Sequence, residues 1–538
     1  MNTPNILTRR SFLGTSAGMA ATAAMGCLSS VPIFVQKALA EGTIGRPNGN
    51  GRVKKLLFIF LRGANDGLNN IIPHGDSAYG PGIRDSLAIP VDPAETWNRR
   101  GPSLFPQAGA NGGSFDYPYS IPLGNGFAGI HPSLKYLVPA YNAGEVALIH
   151  RVGYPRQSRS HFDSQSYWET GAPRNSNIRD GLLYRAMHES GLSSSNSLTG
   201  VSFQSSLPLS LRGSRAAMTN ISDPTRYDLL GVPNNVEGNL KMARALDAAN
   251  AAPFASKANR EMLQQQYSNM ARTLDIFASL DFSEAGNTFV DDEKTDGKKP
   301  YFLFPTTNEK NGAGLGGTGN PGYVVPSSAY GFFNQLKSAA LVLNKTDAIV
   351  AGTQIDGWDT HSEQGGVLGQ HANLLRRVGW SIYALRKYFK AYADKCRWDD
   401  LVVVTLSEFG RTTLENADNG TDHAEASVMY AAGGAIKGFR ADVLGTVSHS
   451  GVFNCGPTDL VPWQTGMNGT LFQSSGRYLQ RATDFRSVMG KLIRDHLGAT
   501  PEQLNRIIPG YADPKEHLFA GGQQAADGVR VTGEPDII

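Results

Sequence analysis

Four mostly apolar runs punctuate a chain that is otherwise rich in polar loop residues. Leu56-Leu57-Phe58-Ile59-Phe60-Leu61 follows Lys54 and Lys55, a second run lies at 145–150, a third at 347–354, and the fourth is Leu401-Val402-Val403-Val404-Thr405-Leu406. Short continuous runs of this kind predict strands buried on both faces of a parallel sheet. Helices are predicted at 132–144, 328–345, 367–395 and 485–497. In the third of these Leu368, His371, Leu375, Val378, Ile382, Leu385 and Phe389 recur at helical spacing, which predicts core packing with His371 as part of it and not as a ligand. The order predicts an α/β fold with a doubly wound, mostly parallel sheet flanked by helices. In such sheets ligands gather beyond the carboxyl ends of the strands.

Each run empties into residues that can do chemistry. The first leads to Arg62-Gly63-Ala64-Asn65-Asp66-Gly67-Leu68-Asn69-Asn70 and the third to Gly357-Trp358-Asp359-Thr360-His361. The fourth leads to Ser407-Glu408-Phe409-Gly410-Arg411 and, past a polar loop, to Asp422-His423. Taken singly, Asp66 before Gly67 suits a turn and Asp359 before Thr360 suits a helix cap. Taken together, Asp66, Asp359, His361, Glu408 and His423 offer oxygen and nitrogen donors that zinc, manganese, magnesium or calcium accepts, so one or two divalent ions are expected there.

The second run leads to Gly153-Tyr154-Pro155-Arg156-Gln157-Ser158-Arg159-Ser160-His161-Phe162-Asp163. Ser160 with Asp163 three residues on forms a partial capping box. A serine at a helix N-terminus is also placed to carry a phosphoryl or sulfuryl group beside free backbone N–H donors. Ser160 is the candidate nucleophile and Ser158 the alternative. Arg156, Arg159 and His161 add positive potential for an anionic substrate.

Together these strings resemble the twin-arginine-exported bacterial proteins of the domain-of-unknown-function 1501 family, which is grouped with the alkaline phosphatases and sulfatases. The resemblance runs from about Lys54 to Thr483-Asp484-Phe485-Arg486. It implies an alkaline phosphatase-like fold, with Asp66 as the first-strand metal ligand, Ser160 as the nucleophile, Asp359 with His361 as the mid-chain ligand pair, Glu408 at the place of an Asp-His pair, and His423 as the late ligand. Phe409 stands where the superfamily's second histidine would be, and Ala424 where a glycine follows Asp422-His423. A two-zinc site therefore lacks a donor unless His161, Asn65 or Asp422 moves in. The implied activity is metal-dependent hydrolysis of phosphate or sulfate esters of an anionic small molecule or polysaccharide, with Arg411 and Arg159 balancing charge on the transferring group. A non-catalytic anion- or glycan-binding protein with a degenerate metal site is the alternative reading. Acid-base chemistry on carbohydrate by Asp66 and Glu408 is a third.

Thr8-Arg9-Arg10-Ser11-Phe12-Leu13, a weakly apolar stretch and Ala38-Leu39-Ala40 before Glu41 read as a twin-arginine signal peptide over 1–40. This predicts export to the periplasm with the twin-arginine translocase as partner, a lipid anchor at Cys27 being the alternative. The stretch is too short and interrupted to be a stable transmembrane segment. A formal net charge of +3 over 538 residues leaves no dense basic face for nucleic acid. Cys396 and Cys455 either pair in an oxidising compartment or stay separate buried thiols. One α/β domain is expected over 41–520, with 172–326 as an insertion, either a cap over the site or a solvated decoration, that holds a polar helix pair at 239–251 and 257–280 and a glycine- and lysine-rich loop at 291–322. The stretch 78–128 is expected to loop over the same rim, and 521–538 reads as a flexible tail.

Overall fold

The computed structural model describes residues 43–92, 118–192, 198–213, 218–222, 237, 241, 244–245, 272–277, 279–282, 288–290, 300–311, 324–441, 447–463 and 478–538. The signal segment with Cys27 and most of the helix pair and glycine-rich loop expected between 239 and 322 lie outside the described residues.

The four apolar runs all form strands, because side chains that are apolar on both faces are stable only when the sheet is covered on both sides. Among the described residues nine strands make one sheet: β1 (Lys55–Leu61), β2 (Val146–Gly153), β3 (Gly200–Ser202), β4 (Thr219–Asn220), β5 (Val350–Ile355), β6 (Leu401–Leu406), β7 (Ser427–Ala432), β8 (Val452–Phe453) and β9 (Thr483–Asp484). Their order is β8-β2-β7-β6-β1-β5-β3-β4, with β9 also pairing β2. All pairings are parallel except those of β7, which runs antiparallel to β6 and to β2.

Every residue of β1 is buried, and alternation along the strand divides them between two cores. Leu57, Ile59 and Leu61 pack with Phe333 and Leu336 of α3 (Tyr330–Lys345) and with Leu375, Val378 and Ile382 of α4 (Gln370–Ala391). Leu56, Phe58 and Phe60 face Trp168 of α1 (His161–Thr170) and Met187 of α2 (Leu182–Glu189) in the other core. The same core holds Met489 of α5 (Phe485–Lys491) and Ile507 of α6 (Pro501–Ile507). Burying each such side chain contributes about 1.5–3 kcal/mol. His371 belongs to the α4 core stripe as expected, fully buried with Nε2 3.1 Å from Asn65 Oδ1. Leu368 does not belong to it: the helix starts only at Gln370, and Leu368 is 55% exposed.

Two segments differ from the expectation. The segment 172–326 is not merely a cap: β3 and β4 extend the main sheet, and Tyr301, Leu303, Phe304, Val324 and Val325 are buried in the core under α3 and α4. The C-terminal segment is not a flexible tail. Ala520–Gln524 and Arg530–Gly533 pair as a hairpin, Thr532 N–H donates to Ala482 O at 2.8 Å, Arg481 forks onto Asp527 at 2.6 and 2.9 Å, and Ile537 is fully buried. That clasp uses apolar and paired side chains which the turn-rich sequence hid. Cys396 and Cys455 are two separate buried thiols. No helix among the described residues is long and apolar enough to cross a membrane.

Candidate metal centre

The register of the sheet decides which loops meet. β1 lies between β5 and β6, with Leu61 level with Ile355 and Phe60 level with Leu406, so the segments at 62–70, 356–361 and 407–411 leave the sheet side by side. β2 points the same way, since antiparallel β7 separates it from β6, and its exit leads to α1. The antiparallel strand matters for another reason. It must enter at this edge, so His423, just before Ser427, arrives where the other strands end. An isolated bridge joins Arg411 to His423, and Thr421 N–H donates to Thr360 O at 3.1 Å. Two glycines permit the close approach. Gly63 has φ +112°, and a Cβ there would meet Asp359 N at 2.5 Å; one on Gly420 would meet His361 O at 2.2 Å.

Four side chains converge at this edge. His423 Nε2 lies 3.1 Å from His161 Nε2, 2.8 Å from His361 Nε2 and 3.2 Å from Asp359 Oδ1. Asp359 Oδ1 is 3.1 Å from His361 Nε2, and its Oδ2 is 3.4 Å from His161 Nε2. Of these, one ligand atom each from His161, Asp359 and His423 lie within 4.8 Å of one another. A tetrahedral zinc site with bonds of ~2.0–2.1 Å separates neighbouring donors by ~3.3 Å, close to the spacings among His161, Asp359 and His423, while His361 stands beside this group of three.

The far nitrogen of each imidazole has an acceptor. His161 Nδ1 donates to Glu408 Oε2 at 2.5 Å, His361 Nδ1 faces Asp422 Oδ1 at 3.4 Å, and His423 Nδ1 donates to Arg159 O at 2.8 Å. These partners keep the ring proton on Nδ1 and leave the Nε2 lone pairs directed at one another and at a carboxylate. Lone pairs so arranged repel unless a cation sits among them, and a carboxylate or carbonyl on the outer nitrogen is the usual support of a metal-bound histidine. Burial lowers the His423 imidazole below its ordinary value, with Arg411 adding to the effect, which favours the neutral, ligating form. Burial would raise the Asp359 carboxyl, but the hydrogen bond and charge of Arg411 outweigh it and hold the group ionised. The donor set therefore fits a divalent ion such as zinc.

Asp359, His361 and His423 come together as the sequence predicts. The other predicted residues do different work. Asp66 is fully buried and taken up by Arg84, at 2.6 Å from Nη1 and 3.1 Å from Nη2, while its Oδ1 caps the turn at Leu68 N and its Oδ2 accepts from Gln364. Burial alone would raise that carboxyl, but Arg84 holds it below the usual range. Glu408 stands behind His161 instead of beside Asp359; its Oε1 accepts from Gly63 N–H at 2.7 Å and Gln165 Nε2 at 2.8 Å. Arg411 is buried and spends its donors on Ala64 O, Gly63 O, Thr421 O, Trp358 O and Asp359 Oδ1, so it fixes loops and ligand instead of facing a substrate. Arg159 lays its guanidinium 4.3 Å from the Tyr478 ring and contributes only its carbonyl to the cluster. Ser160 is the N-cap of α1, accepting from Asp163 N–H at 3.4 Å.

The residue the sequence reading undervalued is His161. It is the first residue of α1 and so follows the Ser160 cap directly, and α1 and the loop before it are tied to the Glu408 loop by Ser164 Oγ and Gln157 Nε2 on Glu408 O at 2.7 and 3.2 Å. The one signal was the donor missing at Phe409. Phe409 is buried, its ring 4.9 Å from that of His161 and 4.7 Å from that of His423, and forms an apolar floor under both.

A family model described as "Protein of unknown function (DUF1501)" matches residues 53–451, a span that holds all four converging side chains, Glu408 and Arg411. No curated protein and no solved structure matches the chain.

Proposed function

This chain belongs to the DUF1501 family, and on that premise we propose that it is an exported hydrolase of phosphate or sulfate esters, related to the alkaline phosphatases and sulfatases and built on one divalent ion. The observation that carries the reading is the grouping of the His161 and His423 imidazoles with the Asp359 carboxylate, with His361 Nε2 also 3.1 Å from that carboxylate and every Nδ1 engaged elsewhere. His161, Asp359 and His423 would hold the ion, with His361 beside them as a further donor, and the ion when bound supplies Lewis acidity toward an anionic ester and lowers the pKa of an attacking oxygen. Glu408 keeps the proton of His161 on Nδ1. Arg411 holds Asp359 in place and ionised. Ser160 sits at the N-terminus of α1, whose free N–H groups and dipole stabilise an anion received there, and it remains the candidate nucleophile.

One observation favours the second reading, a non-catalytic anion- or glycan-binding protein. Phe409, Asp66 and Arg411 are all committed to packing or to internal pairs, which leaves fewer free groups than a two-ion hydrolase uses. The test is elemental analysis of the purified protein with turnover of aryl phosphate and aryl sulfate esters before and after chelation. Chelator-sensitive turnover supports the hydrolase; tightly held metal with no turnover of these esters supports the binding protein. Export through the twin-arginine route is part of the proposal and rests on Thr8 to Leu13. Changing Arg9 and Arg10 to Lys should leave the precursor in the cytoplasm, and periplasmic accumulation of that variant would remove this part.

A further inference from the structure

α1 carries a second set of side chains beside its first residue. Phe162, Gln165, Ser166 and Glu169, spaced by three or four, share one side of the helix and wall a cavity of about 390 Å³. Gln354 at the end of β5, Ser205, Ser206 and Arg212 form other parts of the wall. The size is at the lower end of ligand cavities.

The lining is neither apolar nor strongly charged. Arg62 is neutralised within the wall, donating to Gln354 Oε1, Gln165 Oε1 and Glu169 Oε1, each at 3.0 Å. What remains is the Arg212 guanidinium, which gives Nε and Nη2 to Leu207 O, the hydroxyls of Ser166, Ser205 and Ser206, and the second valences of the Gln165 and Gln354 amides, whose first go to Arg62, Glu408 and Asp356, together with the Phe162 ring, 87% exposed. An open phenyl face beside paired amides and hydroxyls is complementary to a pyranose ring, whose C–H face stacks and whose hydroxyls donate and accept in the ring plane.

The cavity adjoins the metal-binding cluster. Phe162 follows His161 by one Cα step of ~3.8 Å, and Gln165 donates at 2.8 Å to Glu408, the carboxylate that holds His161. We propose that this cavity is a sugar subsite and that the ester cleaved is a phosphate or sulfate carried on a pyranose. This identification of the substrate class rests on the hydrolase reading, whereas sugar binding in the cavity does not.

The test uses the zinc-loaded full-length mature protein, titrated with methyl pyranosides of glucose, galactose, N-acetylglucosamine and fucose and with their O-sulfates, with binding read by saturation-transfer NMR and calorimetry. Binding of at least one uncharged pyranoside is expected, weakened tenfold or more by Phe162→Ala and by Gln354→Ala while bound zinc stays at the wild-type level. The sulfated form should bind more tightly than its parent only when zinc is present. Absence of pyranoside binding, or binding that both variants leave unchanged, overturns the subsite. Pyranoside binding that depends on Phe162 in a protein that turns over neither sugar sulfates nor sugar phosphates keeps the subsite and removes the hydrolase. Turnover of aryl esters without any sugar binding does the reverse.

Discussion

Replacing Glu408 by Gln tests the tautomer argument on which the metal centre depends. Both carboxylate oxygens are in use, Oε1 by Gly63 N–H at 2.7 Å and Gln165 Nε2 at 2.8 Å, and Oε2 by His161 Nδ1 at 2.5 Å. An amide has a single acceptor oxygen. If that oxygen stays with Gly63 and Gln165, the amide NH2 meets His161 Nδ1, which must become an acceptor, and the ring proton moves to Nε2, the atom that faces Asp359 and His423. Metal affinity should then fall ~10–100-fold, the usual effect of losing such a support and equivalent to ~1.4–2.7 kcal/mol. If the amide flips, His161 keeps its tautomer but the Gly63 N–H faces another donor in a part-buried place. Folding stability then falls by ~1–3 kcal/mol. Zinc titration of chelator-stripped protein against a competing chelator measures the first outcome, and urea unfolding of the same sample measures the second. Zinc affinity within twofold of wild type together with an unchanged unfolding midpoint would refute the assignment of Glu408 as the residue that orients His161.

Arg84→Met leaves the Asp66 carboxylate buried and unpaired, so urea unfolding should show a loss of ~3–5 kcal/mol while zinc content in the folded protein stays as in wild type; zinc lost at unchanged stability would return Asp66 to the ligand set. Ser160→Ala should cost about 1 kcal/mol as the loss of a helix cap. If Ser160 is the nucleophile it should also cost several powers of ten in turnover, and activity within a few-fold of wild type would remove it from the mechanism. Burial pushes His131 and His150 down to about 3, and His371 and His496 to about 4, from an ordinary 6.5. The unfolded chain therefore protonates first on acidification. The stability these groups contribute is complete above pH 6.5 and is lost as pH falls toward 4, by up to ~1.4 kcal/mol per pH unit for each. A urea midpoint that stays flat between neutral pH and pH ~5 would count against the four neutral buried imidazoles.

The strands were legible in the sequence because burial on both faces leaves a local mark: Leu56 to Leu61 is apolar without a break and Leu401 to Leu406 is so but for Thr405, and both are strands at those positions. Runs followed by acids and histidines also located the edge of the sheet where Asp359, His361 and His423 meet. The C-terminal hairpin left no such mark, since its hold on the body comes from single groups such as Arg481, Thr532 and Ile537 and not from a period.

The roles of individual side chains within that edge were decided only by tertiary structure. Asp66 and Asp359 each follow an apolar strand, yet Arg84 closes over the first in the core while Asp359 is left 44% exposed beside three histidines. Likewise Ser160 and His161 are neighbours, and it is the docking of α1 on the Glu408 loop that turns the histidine to the cluster and leaves the serine as its cap. Chain-local patterns fix where an apolar strand ends, because burial of a strand depends on its own residues. Which acid is paired, which is left open and which histidine turns inward depends on hydrogen bonds between segments hundreds of residues apart, such as Gly63 with Glu408 and Arg411 with Asp359, and those exist only once the register of the sheet has brought the loops together.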